Sequence, residues 1–325
     1  MSFERASSRL PVDRMSLLTK IARLYHEQGV RQPEIAARLH ISQSRVSRFL
    51  KEAVALGIVR TIVVPPAGVH SELEDGVQAR YSLADVVVVD AADDDRGLLQ
   101  ALGSAGAAYL ETTLTGSDRV GISSWSSTLL ATVDAMAPRT TRTAETIVQV
   151  LGGVGNPAVQ VQATHLTDRL ARVTGADAVF FPAPGVVSTS AVRDALLADP
   201  YILEAVTEWP SLTVVLEGVG SLEPSLLLQN SGNAITAADQ DALRRAGAVG
   251  DVCLRFFDAD GTLVDAELHE RVLGISSAEL RAVPRKVAIA GGTRKHEAIR
   301  ACLRGGWADV LITDVATAEY LLTPR

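Results

Sequence analysis

Cysteine is nearly absent from this sequence: there are two, Cys253 and Cys302, in 325 residues. They have no partners at metal-ligand spacing and are too few for a secreted disulfide framework, so a reducing cytoplasm fits best. Aromatic residues are also scarce, at 4%, which leaves small aliphatic side chains to fill the core. No run of 18 apolar residues occurs, and the opening MSFERASSRL carries charge where a signal peptide needs an apolar stretch. Membrane spanning and export are therefore not expected. Internal repeats and low-complexity tracts are missing too. What is present is 47% hydrophobic and 21% charged residues, the balance of a chain that folds around a buried core. The length suits two domains, or one large domain with a small appendage.

The formal charge of -7 conceals an asymmetry. Residues 1–60 hold 11 Lys and Arg against 5 Asp and Glu, whereas the remainder holds 20 against 33. The first sixty residues suit a polyanion, and the acidic remainder would repel one.

Within the basic segment, Leu17, Leu18, Ile21, Leu24 and Tyr25 recur at helical spacing up to a stop at Gly29. A second helix is predicted from Pro33, with Ile35, Ala36 and Leu39 apolar, stopping at His40-Ile41. Ser42 is placed to N-cap a third helix that carries Val46, Phe49, Leu50 and Val54 and closes at Gly57. QPEIAARLHISQSRVSRFLKEAVALG thus has the layout of a helix-turn-helix, in which one face of the last helix is buried and the other is polar and basic. The candidate DNA contacts are Gln32, Ser42, Gln43, Ser44, Arg45, Ser47, Arg48 and Lys51. Arg and Gln can make bidentate contacts to base edges, while Ser and Lys suit phosphates or either role. An apolar run at Ile58–Val64 is expected to form a strand or wing, and Pro65-Pro66 ends it. The expected domains are residues 1–64 for DNA binding and 65–325 for effector binding and oligomerisation.

Beyond the prolines, strand-like runs at Val86–Val89, Val120–Ile122, Ile147–Val150, Ala178–Phe181, Leu212–Leu216, Val287–Ala290 and Val310–Ile312 alternate with helical segments. That alternation predicts a mainly parallel α/β sheet. Three loops at strand ends suit an anion. Ser123, Ser124, Trp125, Ser126, Ser127 and Thr128 lead into a helix, Gly152-Gly153-Val154-Gly155 follows the third strand, and Gly291-Gly292-Thr293-Arg294-Lys295 puts a cation beside a helix start. Such loops converge on the ligand crevice of open α/β sheets. Their spacings match neither the Walker nor the dinucleotide motif.

Phe257 to Asp265, FDADGTLVD, has the form of the nucleophile motif of haloacid-dehalogenase phosphatases, in which Asp258 would attack phosphorus. Its context argues otherwise. Arg255 interrupts the strand that should precede it, no paired acids follow to complete a magnesium site, and Asp-Gly between apolar runs is a hairpin signal. The six histidines show no metal-ligand or carboxylate-paired spacing. Trp125 suits a ligand pocket or helix packing equally, whereas Trp209 and Trp307 suit a core or interface. Asp314 could face a ligand or N-cap the last helix.

The helix-turn-helix, together with GISSWSSTLL, VQVLGGVG, FFPAPGVVS, GAVGDVCLRFFDADG and VAIAGGTRKHEAIRACLRGGWADVLITDVATAEYLL, resembles the SorC family of bacterial transcriptional regulators over nearly the whole chain. The resemblance implies a small all-α DNA-binding domain, then a larger α/β domain related in fold to ribose-phosphate isomerase and glucosamine-phosphate deaminase but without their catalysis. It implies that Ser126, Ser127 and Thr128 hold a phosphate, Asp251 a sugar hydroxyl, and Lys295 a phosphate or neighbouring oxygen. With the strand-end loops, the candidate effector residues are Ser123, Ser124, Ser126, Ser127, Thr128, Gly152, Gly153, Asp251 and Lys295. Some members carry an arginine-rich stretch before the Asp251 motif for a second phosphate. Here that region reads LLLQNSGNAIT, which favours a monophosphate or an unphosphorylated polyol. The expected function is a cytoplasmic regulator of carbohydrate or polyol catabolism. Its expected partners are double-stranded operator DNA, a sugar-phosphate or polyol effector, and further copies of itself as a homodimer or homotetramer. No cofactor, metal, catalytic residue or membrane contact is expected. Two other readings are a sugar-phosphate isomerase or deaminase with an attached DNA-binding module, and a nucleoid-type structural binder that would leave the α/β body idle.

Overall fold

A computed structural model of the protein describes residues 12–60, 66, 68–92, 94–155, 157–223 and 235–324. They fall into two compact units, one within Met1–Pro65 and the other within Pro66–Arg325.

Among the described residues the first unit holds three helices, α1 (Val12–His26), α2 (Gln32–Leu39) and α3 (Gln43–Ala55). Leu18, Ile21, Ile35, Ala36, Val46, Phe49 and Leu50 meet in one apolar cluster, the positions that helical spacing places on the inner faces. His40 ends α2 in the left-handed region, and its N–H together with that of Ile41 returns to the last turn. Ser42 accepts the N–H of Arg45 at 3.3 Å and so starts α3. Of the expected wing, Ile58–Arg60 is not strand, and residues 61–65 lie outside the described residues.

The second unit begins with α4 (Ser71–Tyr81), β1 (Asp85–Val89), α5 (Asp95–Thr113), β2 (Arg119–Ile122), α6 (Ser127–Ala135), β3 (Thr146–Gln149), α7 (Pro157–Thr174) and β4 (Asp177–Val179). It continues through α8 (Ser190–Leu197), α9 (Pro200–Glu208), β5 (Val214–Glu217), β6 (Gly220–Ser221), α10 (Ala237–Arg245), β7 (Gly250–Val252) and β8 (Arg255–Phe257). It closes with α11 (Ser277–Ala282), β9 (Arg285–Ile289), α12 (His296–Arg304), β10 (Val310–Asp314) and α13 (Val315–Leu322). Seven strands form one parallel sheet in the order β1-β10-β9-β5-β2-β3-β4. These are the seven apolar runs read from the sequence, shifted by a residue or two at their ends.

Helices cover both faces of the sheet, which is why its strands are nearly continuous aliphatic runs. Val120, Ile122, Val214, Leu216, Val287, Ile289, Val310 and Ile312 face α5, α6 and α7. Val86, Val88, Val148, Val215, Ala288 and Leu311 face the opposite layer, which includes Val77 of α4, Ile202 of α9, Leu280 of α11, Ile299 of α12 and Leu321 of α13. Trp209 and Trp307 are both buried there, their indole N–H groups donating to the carbonyls of Gln149 and Gly261.

A second sheet, β6-β7-β8, is antiparallel and sits beyond the end of β5. Its β7–β8 turn is Cys253-Leu254, with φ of 50° and 60°. Both turn residues lie in the left-handed region that two-residue hairpins require and that normally selects Asn and Gly. The FDADG segment continues this sheet as a turn. Asp258 Oδ1 accepts the N–H groups of Asp260 and Thr262, and Phe257 bridges to Leu263. Among the described residues no helix is long and apolar enough to cross a membrane.

Candidate functional site

In a parallel sheet the chain leaves every strand at the same edge, and there a cavity of about 1220 Å³ opens. Its wall is made of strand ends: Asp90 after β1, Ser123 after β2, Gly218 after β5, Gly291 after β9, and Asp314 at the end of β10. The β6–β8 sheet adds Gly220, Ser221, Asp251, Cys253 and Leu254.

The start of α6 is one pole of this cavity. Ser126 Oγ accepts the N–H of Leu129 at 3.2 Å, and its carbonyl accepts that of Leu130. The N–H groups of Ser127 and Thr128 have no protein acceptor among the described residues, and Ser126, Ser127 and Thr128 all line the cavity. Two unsatisfied donors at the positive end of a helix make a place for an anion.

Lys295 and Asp251 make the second pole. Lys295 ends the short 3-10 turn Thr293–Lys295 ahead of α12 and has no ion-pair partner among the described residues. Burial holds its pKa below the usual lysine value, against the pull of Asp251. Asp251 is buried and accepts the N–H of Leu254 at 2.9 Å. Burial raises its pKa to about 6, opposed by that N–H and by Lys295. Position 220 must be glycine for Asp251 to stand there, since a Cβ would lie 2.0 Å from its Oδ1.

Other acids surround these groups. Asp90, Asp94, Asp95, Glu223, Asp314 and Glu319 join Asp251 in the wall, against two cations, Arg294 and Lys295. Arg294 pairs with Asp95 at 3.2 Å, so Lys295 is the cation left to a ligand among the described residues. Asp314 N-caps α13 through Thr317 and also takes the N–H of Gly292 at 2.8 Å. Trp125 lines the cavity while its indole donates to the carbonyl of Gly152.

Of the effector residues expected from the sequence, the structure brings together Ser123, Ser126, Ser127, Thr128, Asp251 and Lys295 in the wall. Ser124, Gly152 and Gly153 are not in it. Ser124 is buried, donating to Leu151 O at 2.6 Å and accepting from Gln149, so its hydroxyl is spent behind the wall. Gly152 packs so closely on the 183–184 backbone that a Cβ would lie 2.2 Å from Pro184 O, which is a packing reason for the glycine. Asp90, Glu223 and Glu319 carry no motif in the sequence, and Asp94 and Asp95 read there only as an acidic turn; Asp90 and Glu223 follow strands and Asp94 and Asp95 start α5, whereas Glu319 lies inside α13. The LLLQNSGNAIT segment lies outside the described residues up to residue 234. His70 and His165, for which sequence spacing gave no carboxylate partner, meet Asp90 at 3.0 Å and Asp134 at 3.3 Å. Among the described residues no group of three His, Cys, Asp or Glu could hold a metal ion.

In the first unit, α3 presents Gln43, Ser44, Arg45, Arg48 and Lys51 exposed, with Ser42 exposed at its cap and Ser47 half-buried. Gln32 is half-buried at the start of α2. Arg45 lies over the Phe49 ring at 5.4 Å, which braces its stem while leaving the guanidinium edge open. Arg14, Arg23 and Arg31 are ion-paired, to Glu52, Glu27 and Glu34. Arg45, Arg48 and Lys51 have no carboxylate partner among the described residues, and the first turn of α3 contains no acid.

Comparison with known proteins places these two units in context. Residues 66–323 match the family model Sugar-bind, described as "Putative sugar-binding domain". The chain is similar to the deoxyribonucleoside regulator of Bacillus subtilis, 30% identical over 95% of this chain and 98% of the relative. It is also similar to the sorbitol operon regulator of Klebsiella pneumoniae, 29% identical over 95% of this chain and 98% of the relative. The crystal structure of the full-length sorbitol operon regulator SorC from Klebsiella pneumoniae superposes with a TM-score of 0.72 at 27% identity, covering 95% of this chain and 99% of that one.

Proposed function

The chain belongs to the SorC family of transcriptional regulators, and from that premise we propose that its operator binding is controlled by a sugar or polyol carrying at most one phosphate. The observation that carries this reading is the pairing, in one cavity, of the free N–H groups at the start of α6 with Lys295 and Asp251. One phosphate is matched by a helix terminus and one cation. A second would meet a wall of seven carboxylates with no further unpaired cation among the described residues. The same carboxylates are good acceptors for hydroxyl groups, which suits a polyhydroxylated chain.

On this reading residues 1–64 hold operator DNA through α3, with Arg45 and Gln43 at base edges and Lys51 at a phosphate. Residues 65–325 bind the effector and join copies into a dimer or tetramer in the cytoplasm. On this reading the cavity senses its ligand rather than transforming it, in keeping with the relatives named as regulators. Thermal-shift screening against phosphorylated sugars and polyols tests this. A ligand at 100 times its Kd adds about 2.7 kcal/mol of stability, and the same compound alters gel-shift affinity for the DNA upstream of the gene. Stabilisation by bisphosphates alone, or turnover of the stabilising compound, refutes the reading.

A further inference from the structure

We propose that the segment leading the chain into the second unit is latched to the cavity rim by His70 and Asp90, so that whatever occupies this corner of the cavity sets how firmly the segment is held. Asp90 follows β1 directly and belongs to the cavity wall. Its Oδ1 accepts from His70 Nε2 at 3.0 Å. Its Oδ2 stands beside the backbone of the same segment, 3.6 Å from where a Cβ on Gly68 would lie. One exposed carboxylate therefore lines the cavity, holds the His70 ring and stands close to Gly68.

His70 is where the incoming chain becomes helix. Its carbonyl accepts the N–H groups of Leu73 and Glu74, while its side chain caps nothing in α4 and is left for Asp90. Just before it, Val69 N–H turns back onto Pro66 O.

From there α4 is fixed to the body of the unit. Glu74 Oε1 accepts the N–H of Val88 in β1 at 3.0 Å. Arg80 donates to the carbonyls of Leu322 and Thr323, and the Tyr81 hydroxyl donates to Leu321 O, all at the end of α13. The other end of α13 returns to the cavity, since Val89 pairs with Asp314 and Ala316 lines the wall. The corner of the cavity at Asp90 is thus also the mount of the incoming chain. A ligand hydroxyl donating to Oδ1 of Asp90 competes with His70 for that oxygen. Calling that ligand an effector rests on the function proposed above; the latch itself belongs to the chain alone.

Hydrogen exchange of the full chain, read on peptides spanning 68–74, tests the latch without knowledge of the effector. Asp90→Ala and His70→Ala should each speed exchange there by about two- to fivefold, the scale of a partly exposed ion pair, and leave β9 and β10 unchanged. The double variant should be no faster than either single one. Occupancy is imitated with N-ethylmaleimide on Ala316→Cys, since Ala316 is exposed in the wall and both native cysteines are buried. The adduct should reproduce the faster exchange, and should add nothing once Asp90 is Ala. Unchanged exchange in Asp90→Ala, or an adduct effect that persists in its absence, overturns the proposal. If these shifts occur while no sugar phosphate or polyol stabilises the protein, the effector reading fails and the latch stands. The reverse result removes the latch alone.

Discussion

Glu217 offers the sharpest test of how this fold carries its charges. It is the last residue of β5, opposite Ala288 of β9, on the sheet face packed under α12. It is 0% exposed, and neither carboxyl oxygen has a hydrogen-bond partner among the described residues. Burial pushes its pKa well above the ordinary carboxylate value, against the pull of Lys286 and with a push from Asp309. The thiols of Cys253 and Cys302, raised first by burial, are raised further by Glu217. From about pH 4.3 upward the unfolded chain gives up this proton while the native chain keeps it. The native state then binds more protons than the unfolded state, so stability falls as pH rises, by about 1.4 kcal/mol per pH unit until the native pKa is reached. Glu217→Gln keeps the shape and cannot titrate, and so lacks this slope. All three tryptophans, at 125, 209 and 307, lie in the second unit, so urea unfolding followed by tryptophan fluorescence reports that unit alone. Measured at pH 5.5, 6.5 and 7.5, the gap in unfolding free energy between variant and wild type should move toward the variant as pH rises, by up to about 1.4 kcal/mol per unit while the native chain keeps the proton, with unchanged m. Asp251, with its pKa of about 6, titrates in both proteins and cancels in the difference. A gap that stays flat, or moves toward wild type with rising pH, shows a Glu217 ionised in the fold and refutes the reasoning.

Three further outcomes follow from the same geometry. Lys295→Ala should weaken effector binding several-fold in a titration calorimeter and leave ligand-free operator binding intact, because Lys295 is the unpaired cation of the cavity among the described residues. Arg45→Ala and Gln43→Ala should each cost about 1–3 kcal/mol of specific DNA binding, whereas Lys51→Ala should weaken all sequences alike and reduce the salt slope by about 1; gel shifts at several salt concentrations separate the two patterns. His269, whose Nε2 accepts the N–H of Phe256 at 3.0 Å, is lowered to about 4 by burial and by Arg255. It stays neutral in the fold below pH 6.5, where the unfolded chain takes up a proton, so stability falls as pH drops from 6.5 toward 4; His269→Gln, which keeps an acceptor but does not titrate, should flatten that acid limb.

The seven parallel strands were legible because both faces of that sheet are buried, so each strand reads as an uninterrupted aliphatic run. The helix-turn-helix was legible because its inner positions and its cap residue, Ser42, follow local rules. The cavity was legible in outline, since loops after parallel strands must gather at one edge. Which loop residues face it was not. Ser124 and Ser126 are alike in sequence, but one is spent on Leu151 O behind the wall and the other caps α6 at the mouth. The antiparallel sheet was legible only at its FDADG turn. Arg255, a charge that seemed to break a strand, is a strand residue of β8, buried with its guanidinium donating to the carbonyls of His269, Gly274 and Ile275. No local pattern announces that a cation will be satisfied by backbone carbonyls 14 to 20 residues further along the chain.

The Cys253-Leu254 turn marks where local preference yields to the site. A non-glycine residue held in the left-handed region costs about 1–2 kcal/mol, and two occur in succession here. Their surroundings hold them there. Cys253 and Leu254 are buried at 4% and 2% exposure, Asp251 takes the N–H of Leu254, and Arg255 anchors the following strand. Asn-Gly would satisfy the turn at lower cost, but it would remove the thiol and the isobutyl group from two residues that line the cavity. The acid that lines the cavity is therefore the same one that accepts from the strained turn. On the function proposed above, a ligand hydroxyl reaching Asp251 draws on a carboxylate already engaged in keeping the wall in place, so recognition and the shape of the wall are coupled through one side chain.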